Sequence, residues 1–202
     1  LGQAPQRTVR DVWVLNVIDH QRRAVFVHIP KTAGISIYKA FNRENQMGHL
    51  RLRDHGAKRS GYFSFAFVRN PFDRLVSTYA YLRSGGRQNR FDLAARDAVS
   101  EFETFDAFAR NIAECQRRLR AIPADDWGIP DSLKVDSDDR RYPHLMAQVV
   151  WTHHDGAVDL DFIGRFERLD DDWRVVADRL DLPHELGHHN ASAHRPYRDM
   201  YG

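Results

Sequence analysis

The sequence predicts an α/β protein in which helices flank a central, mostly parallel sheet in three layers. An apolar β-branched run at 25–29 passes through a short turn into a helical pattern. A second run at 62–68, dense in aromatic residues, is also followed by a helix start, and a third at 158–166 leads into a helical pattern at 170–180. Strands that alternate with helices in this way are typical of parallel sheets.

Composition is that of an ordinary globular protein. The chain has 202 residues, of which 42% are hydrophobic and 29% are charged. We therefore expect one domain over 1–202, with a peripheral N-terminal segment at 1–23 and a long loop at 119–143 that is rich in proline, aspartate and arginine. No stretch approaches the roughly 20 apolar residues of a membrane span, so none is predicted.

Charge is distributed unevenly along the chain. Residues 1–100 carry 17 Lys and Arg against 7 Asp and Glu, whereas residues 101–202 carry 13 against 21. A basic N-terminal half can attract an anionic cofactor, although nucleic acid would also fit such a field. A recognisable set of base-stacking aromatic residues is missing, so we do not expect a nucleic-acid partner.

The most informative segment is the turn after the first predicted strand, H-I-P-K-T-A-G-I-S at 28–36. A strand that enters a helix through such a turn directs several N–H groups to one point, and Lys31 adds a full positive charge. Arginine outnumbers lysine 26 to 4 in this chain, so a lysine in the turn is distinctive. The segment is P-loop-like, yet the pattern G-x-x-x-x-G-K-[ST] of nucleotide triphosphatases is absent. The sequence therefore predicts a site for a phosphate-like anion.

A second motif, F-V-R-N-P-F-D-R-L-V-S-T-Y, occupies 67–79. Asn70 suits the N-cap of a helix and Asp73 completes a capping-box-like pair. Arg69, at the end of the strand, is either an anion ligand or the ion-pair partner of Asp73. Helical periodicity places Arg74, Ser77 and Tyr81 on one face, away from the apolar face.

Together, the two motifs resemble the cofactor signatures of sulfotransferases that use 3′-phosphoadenosine 5′-phosphosulfate (PAPS). The likeness is greatest to carbohydrate sulfotransferases of the heparan 2-O and chondroitin type and their bacterial relatives. It extends to D-F-I-G-R-F-E-R-L at 161–169 and L-P-H-E-L-G-H-H-N-A-S at 182–192. The resemblance implies direct, metal-independent transfer of a sulfuryl group from PAPS to a hydroxyl, with a sugar or glycan as the acceptor.

The resemblance also implies roles for individual residues. Lys31 is expected at the oxygen that bridges phosphate and sulfate, and Arg69 and Ser77 at the 3′-phosphate. The residues expected to surround the 5′-phosphosulfate with N–H groups and hydroxyls are Thr32, Ala33, Gly34, Ile35 and Ser36. Ile35 stands where the family usually has threonine; the change removes a hydroxyl and keeps the N–H, so it can weaken nucleotide binding.

Transfer to a hydroxyl requires a base, and histidine has a suitable pKa. In related sulfotransferases a histidine lies between the two cofactor motifs, within a patch like H-x-[ST]-A-[RK]. The nearest match here is H-G-A-K-R at 55–59. We therefore expect His55 to be the catalytic base, with His49 as the second candidate.

Two other classes of function compete with this interpretation. His184 and His188 satisfy H-E-x-x-H, and His194 stands where an extended zinc-protease motif has its third ligand. Pro183 would place His184 in the first turn of any helix, which argues against the protease. A non-catalytic nucleotide-binding module is the other alternative.

Cys115 is the only cysteine, so no internal disulfide can form and a reducing compartment is expected. We predict the cytoplasm of a bacterial cell. Because the chain begins at Leu1, the Golgi lumen is the alternative if an N-terminal anchor has been trimmed.

Overall fold

Short strands and helices alternate along the part of the chain that this computed structural model describes, namely residues 17–41, 49, 51–52, 60–122, 142–187 and 194–201. The strands are β1 (Val17–Asp19), β2 (Ala24–Phe26), β3 (Phe63–Val68), β4 (His153–His154), β5 (Ala157–Val158) and β6 (Phe162–Arg165). The α-helices are α1 (Gly34–Ala40), α2 (Pro71–Ser84), α3 (Arg90–Ala98), α4 (Phe105–Arg110), α5 (Ile112–Arg120), α6 (Val149–Thr152) and α7 (Leu169–Leu180). Single 3₁₀ turns cover Pro143–Leu145, Phe166–Arg168 and Tyr197–Asp199.

The described strands form a central sheet in the order β1-β2-β3-β6, and β4 and β5 form a separate hairpin. β1 is antiparallel to β2, whereas β2, β3 and β6 run parallel. The carboxyl ends of these three strands therefore share one edge of the sheet. Lys31, Arg69 and Phe166 follow them at that edge.

Helices cover both faces of the sheet. Phe26, Phe65 and Phe67 point to one side, where they pack with Ile37 of α1 and Trp173 of α7. Val25 and Ala66 alternate with these residues in β2 and β3. They point to the other side and pack there with Val27 and with Trp151 of α6. The predicted α/β architecture, with a mostly parallel sheet flanked by helices, is confirmed. Across the described residues, no helix is both long enough and apolar enough to span a bilayer.

A second core lies among α2, α3, α4 and α5. Its most deeply buried large side chains are Leu82, Phe108 and Leu119, and Cys115 is buried with them. α2 packs its apolar face against this core, and its polar face is directed away from the core.

Several element boundaries differ from those that the periodicity predicts. The helix expected over 104–118 is divided into α4 and α5 at Asn111, and α5 ends at Arg120. The strand expected over 158–166 is shorter, because β6 covers Phe162–Arg165 and the chain then enters a 3₁₀ turn. Of the segment 1–23, residues Val17–Asp19 form the edge strand β1. Residues 123–141 of the predicted long loop lie outside the described residues.

Candidate active site

The turn after β2 is held in an unusual backbone conformation. Lys31 and Ala33 have φ values of 69° and 67°, in the left-handed region that non-glycine residues rarely adopt. Between them, the buried Thr32 hydroxyl donates to the Ile29 carbonyl at 2.8 Å. Backbone in this conformation can bring successive N–H groups to one side of a turn, as in known anion-binding loops. The predicted hydroxyl ligand Thr32 thus also fixes the turn itself.

Gly34 begins α1 directly against the His28 ring. A Cβ added at Gly34 would lie 1.9 Å from His28 Nε2, so a side chain there would displace the ring. Ile35 and Ser36 follow in the first turn of α1; Ile35 is half-buried and Ser36 is buried. α1 has only 7 residues, so its dipole is small and the charge at this turn comes mainly from Lys31.

The Lys31 side chain is partly buried against α2. Its Nζ lies 4.4 Å from the centroid of the Tyr81 ring, in cation–π geometry. Burial lowers the pKa of Lys31 to about 8; the charge on Arg69 acts in the same direction, and Asp92 opposes it. Lys31 is consequently still mostly charged at neutral pH.

Arg69 meets this turn from the end of β3. Its Nη1 donates to the Lys31 carbonyl at 3.3 Å, and its Nε donates to Asp73 Oδ2 at 2.8 Å. The guanidinium also lies 4.2 Å from the Phe166 ring centroid. The ion pair with Asp73, one of the two alternatives from the sequence, is therefore present together with a contact to the turn. Asp73 does not complete the capping-box-like pair, because the Asn70 N–H donates to Glu167 instead and Asp73 Oδ2 accepts from Arg69.

Asn70 caps α2 as predicted: its Oδ1 accepts from the N–H groups of Phe72 and Asp73 at 3.0 and 3.3 Å. Its own N–H is bound at 2.6 Å by Glu167, which follows β6. The start of α2, which follows β3, is thus also bound to the segment that follows β6.

Arg74 joins three pieces of the chain. It is 6% exposed, and its guanidinium donates to the carbonyls of Pro30, Met146 and Pro143 at 2.9, 2.8 and 3.3 Å. Burial, together with the charge on Arg69, lowers the pKa of Arg74 to about 10, so it remains charged at neutral pH. These three hydrogen bonds give Arg74 a structural role, and its guanidinium adds positive charge beside the turn.

Ser77 lies between Arg74 and Tyr81 on α2. Residues spaced by three and four share a helix face, and both neighbours contact the turn at Pro30 and Lys31. Ser77 is 2% exposed. The structure therefore brings Ser77, Lys31 and Arg69 into one region, as the two motifs require.

Histidines form a cluster next to the turn. The His49 ring lies 4.4 Å from the His28 ring and 5.9 Å from the His144 ring, measured between centroids. His49 Nδ1 is 3.1 Å from the His28 carbonyl, which can only accept, so Nδ1 carries the proton and Nε2 keeps the lone pair. Burial lowers the pKa of His49 to about 4, and burial also lowers the pKa of His144. His55 lies outside the described residues.

Three residues that the sequence did not single out belong to this region. Gln148 binds the main chain of Arg69, Asp92 accepts a hydrogen bond from Tyr81, and His144 stacks on Tyr81. Only Asp92 carries a local signal, since Asn89-x-x-Asp92 reads as a helix N-terminus. Gln148 and His144 come to the site through tertiary packing, which no local sequence pattern indicates.

The C-terminal histidines do not support a zinc protease. Residues 182–187 form no helix, so the described start of the H-E-x-x-H segment lacks the helical face that the motif needs. His184 Nε2 lies 2.8 Å from Asp178 Oδ1 in an exposed ion pair. No cluster of three or more potential metal ligands occurs within the described ranges. The protease alternative is therefore not favoured.

Comparison with known proteins gives a family for this arrangement. Residues 16–200 match the model that describes the sulfotransferase family. Carbohydrate sulfotransferase 14 of Homo sapiens is 33% identical over 144 residues, which are 68% of this chain and 34% of the human protein. Carbohydrate sulfotransferase 14 of Mus musculus shows the same identity and coverage. The chain thus spans about a third of the length of these curated relatives. No solved structure gives a significant match.

Proposed function

The chain belongs to the sulfotransferase family, and on that premise we propose that it transfers a sulfuryl group from PAPS to a hydroxyl group of a carbohydrate. One observation supports this most directly: Arg69 Nη1 is 3.3 Å from the carbonyl oxygen of Lys31. The two motifs predicted to bind anions, represented by residues 38 apart in sequence, thus meet at one edge of the sheet. A nucleotide with phosphate groups at its 3′ and 5′ positions has the charges that such a pair of sites would bind.

The proposed reaction is a direct in-line displacement. The acceptor oxygen forms a bond to sulfur while the bond from sulfur to the bridging phosphate oxygen breaks. The acceptor proton passes to a base, and 3′,5′-bisphosphoadenosine leaves. Negative charge grows on the departing phosphate, where the Lys31 ammonium and the N–H groups of residues 32–36 would stabilise it. This requires no metal ion, and we propose that none is used.

Arg69 and Ser77 are proposed to hold the 3′-phosphate. Among the described contacts, Arg69 uses Nε for Asp73 and Nη1 for Lys31, so the two N–H donors of Nη2 stay available for a phosphate oxygen. Asp73 then orients the guanidinium rather than competing for it. Ser77 would add a hydroxyl donor from the adjacent face of α2.

The base is proposed to be His55, with His49 as the alternative. His49 has the tautomer that a base needs, since its Nδ1 proton is used by the His28 carbonyl. Its pKa of about 4 keeps it unprotonated at neutral pH but makes it a weak base. The acid limb of the pH–rate profile separates the two residues: an apparent pKa near 4 supports His49, and one close to the ordinary histidine value of about 6.5 supports His55.

The carbohydrate acceptor is proposed from the relatives, whose names describe carbohydrate sulfotransferases. The cytoplasm is proposed as the compartment, because the chain has 1 cysteine and therefore no internal disulfide. Fractionation of the source cells would test the compartment, and recovery of the protein in a lumenal fraction would contradict it.

A calorimetric titration with 3′,5′-bisphosphoadenosine, with and without chelator, tests the proposal. We expect micromolar affinity that the chelator does not change, and transfer of labelled sulfate from PAPS to a panel of glycans. Lys31→Ala should abolish transfer, whereas Lys39→Ala, an exposed lysine at the end of α1, provides the matched control. Absence of nucleotide binding by the wild-type protein would overturn the proposed function.

A further inference from the structure

The Tyr81 ring is the surface on which the Lys31 ammonium lies, at 4.4 Å from the ring centroid. The ring is itself held at both its edge and its face. Its hydroxyl donates to Asp92 Oδ2 at 2.9 Å, and the His144 ring stacks on it with centroids 5.1 Å apart and planes 13° apart. Tyr81 is thus fixed before any ligand binds.

The Asp92 carboxylate that binds Tyr81 is held in turn by the connection between α2 and α3. Asp92 is 4% exposed, and its Oδ2 accepts from the Arg87 N–H at 2.9 Å and from Asn89 Nδ2 at 2.8 Å. The Asp92 N–H donates to Asn89 Oδ1 at 2.8 Å, which caps α3. A carboxylate oxygen that is held by several hydrogen bonds is a rigid partner for a phenol.

Gly86 shows that this connection is fitted to the pair. A Cβ at Gly86 would lie 2.5 Å from Tyr81 Cζ and 2.7 Å from Asp92 Cγ, and its φ of +53° is also in the left-handed region. The turn therefore needs glycine both for its conformation and for its close approach. A surface turn packed this tightly around one phenol–carboxylate pair has a fixed geometry.

We propose that Tyr81 is a positioning residue for Lys31: its ring, oriented by Asp92, sets the direction in which the ammonium meets the sulfuryl donor. A lysine side chain has several rotatable bonds, and an unsupported one would lose that freedom only when the donor binds. The aromatic face confines the ammonium in advance. The inference rests on the proposed function for its catalytic consequence, but the contact itself can be tested without turnover.

The direct test is the NMR resonance of the Lys31 ε-methylene group in protein labelled at lysine Cε. The chain has 4 lysines, so the spectrum is simple, and Lys31→Arg assigns the signal. Protons above an aromatic face are shifted upfield. We expect this upfield shift to be lost in Tyr81→Leu and retained in Tyr81→Phe, which keeps the ring.

Tyr79→Leu is the matched control. Tyr79 is on the same helix, but its ring packs against Phe105 and Phe108 in the second core. This variant should lower stability and leave the Lys31 resonance unchanged. If Tyr79→Leu and Tyr81→Leu move the resonance equally, the effect is general unfolding of α2 and the inference is wrong.

The kinetic test is the split between kcat and the KM for the acceptor. We expect Tyr81→Leu to lower kcat by about 2- to 30-fold, the range of a partly desolvated cation–π contact, with little change in that KM. Tyr81→Phe should restore most of the lost kcat. A wild-type kcat in Tyr81→Leu, with nucleotide binding intact, overturns the inference but leaves the proposed function standing. A wild-type protein that shows the Lys31 shift but binds no nucleotide overturns the function and leaves the contact standing.

Discussion

The side-chain amide of Gln148 pairs with both main-chain groups of Arg69. The Arg69 N–H donates to Gln148 Oε1 at 2.8 Å, and Gln148 Nε2 donates to the Arg69 carbonyl at 2.7 Å. An amide placed in this way makes the pair of hydrogen bonds that a neighbouring strand would make, just beyond the end of β3. The two bonds fix the main chain of Arg69 and thereby the position from which its side chain extends.

Gln148→Glu should keep the hydrogen bond from the Arg69 N–H and lose the other one, because a carboxylate cannot donate to the Arg69 carbonyl and would repel it. Leaving the part-buried Arg69 carbonyl without its donor should cost about 1–3 kcal/mol. We expect nucleotide affinity to fall as well, since the main chain of Arg69 would be held less firmly and its side chain would be less well oriented. Urea unfolding and calorimetric titration with 3′,5′-bisphosphoadenosine measure the two effects.

Gln116→Glu is the control for that variant, because Gln116 Nε2 donates to the Leu145 carbonyl at 3.1 Å and does not contact Arg69. It should lower stability without changing nucleotide affinity. Equal losses of affinity in the two variants would show that Gln148 has no specific connection to the site.

Arg74→Lys should destabilise the protein by about 2 kcal/mol, because one ammonium cannot reach the three carbonyls that the planar guanidinium binds. The turn at Pro30 and the segment at 143–146 would lose their common partner, so nucleotide affinity should fall too. Thermal unfolding and nucleotide titration measure both. Arg83→Lys on the same helix, where Arg83 binds the single exposed carbonyl of Ser100, should leave affinity unchanged, and a drop as large as that in Arg74→Lys would contradict the prediction.

The parts of the site that the sequence predicts depend on short-range signals. The turn around Lys31 follows a strand pattern directly, and Asn70 with Pro71 marks the start of α2 through cap chemistry that involves neighbouring residues. The periodicity of α2 also places Ser77 and Tyr81 on one face. Each signal lies within a few residues of the feature that it predicts.

The parts that the sequence does not predict depend on distant packing or on local competition. Gln148 is 79 residues from Arg69, and no pattern links them. The break between α4 and α5 has a local cause: the Asn111 side chain donates to the Ala107 carbonyl at 2.8 Å, and the Asn111 N–H bonds to Phe108 instead. A side chain that takes a carbonyl from the helical ladder ends the helix, although the apolar periodicity continues.

Stability should fall between pH 7 and pH 5 because the pKa values of His49 and His144 are lowered in the folded protein. The pKa of His49 is lowered to about 4, so between that value and about 6.5 the unfolded state binds a proton that the folded state does not. Stability therefore decreases as pH falls through this window, by about 2 kcal/mol at pH 5 for His49, and His144 acts in the same direction. Urea unfolding at the two pH values measures the difference.

His49→Asn should remove the part of this pH dependence of stability that comes from His49. Asparagine can still donate to the His28 carbonyl, so the variant removes the titration while keeping the hydrogen bond. An unchanged pH dependence in His49→Asn would mean that His49 titrates normally.

Gly34→Ala should destabilise the turn through its collision with His28, and removing the histidine ring should relieve part of the cost. A methyl group at Gly34 would lie 1.9 Å from His28 Nε2, which forces the ring or α1 to move. Overpacking of this kind costs about 1–3 kcal/mol. His28→Ala leaves a cavity and is itself destabilising, but the double variant should be more stable than the sum of the two losses predicts, by about 1 kcal/mol. A double-mutant cycle in urea measures this coupling.

Gly156→Ala gives the comparison, since a Cβ there meets no atom within 4 Å. The stability that this variant loses should simply add to the stability that His28→Ala loses. If the losses of Gly34→Ala and His28→Ala are additive as well, the ring does not restrict residue 34 and the glycine is required for another reason.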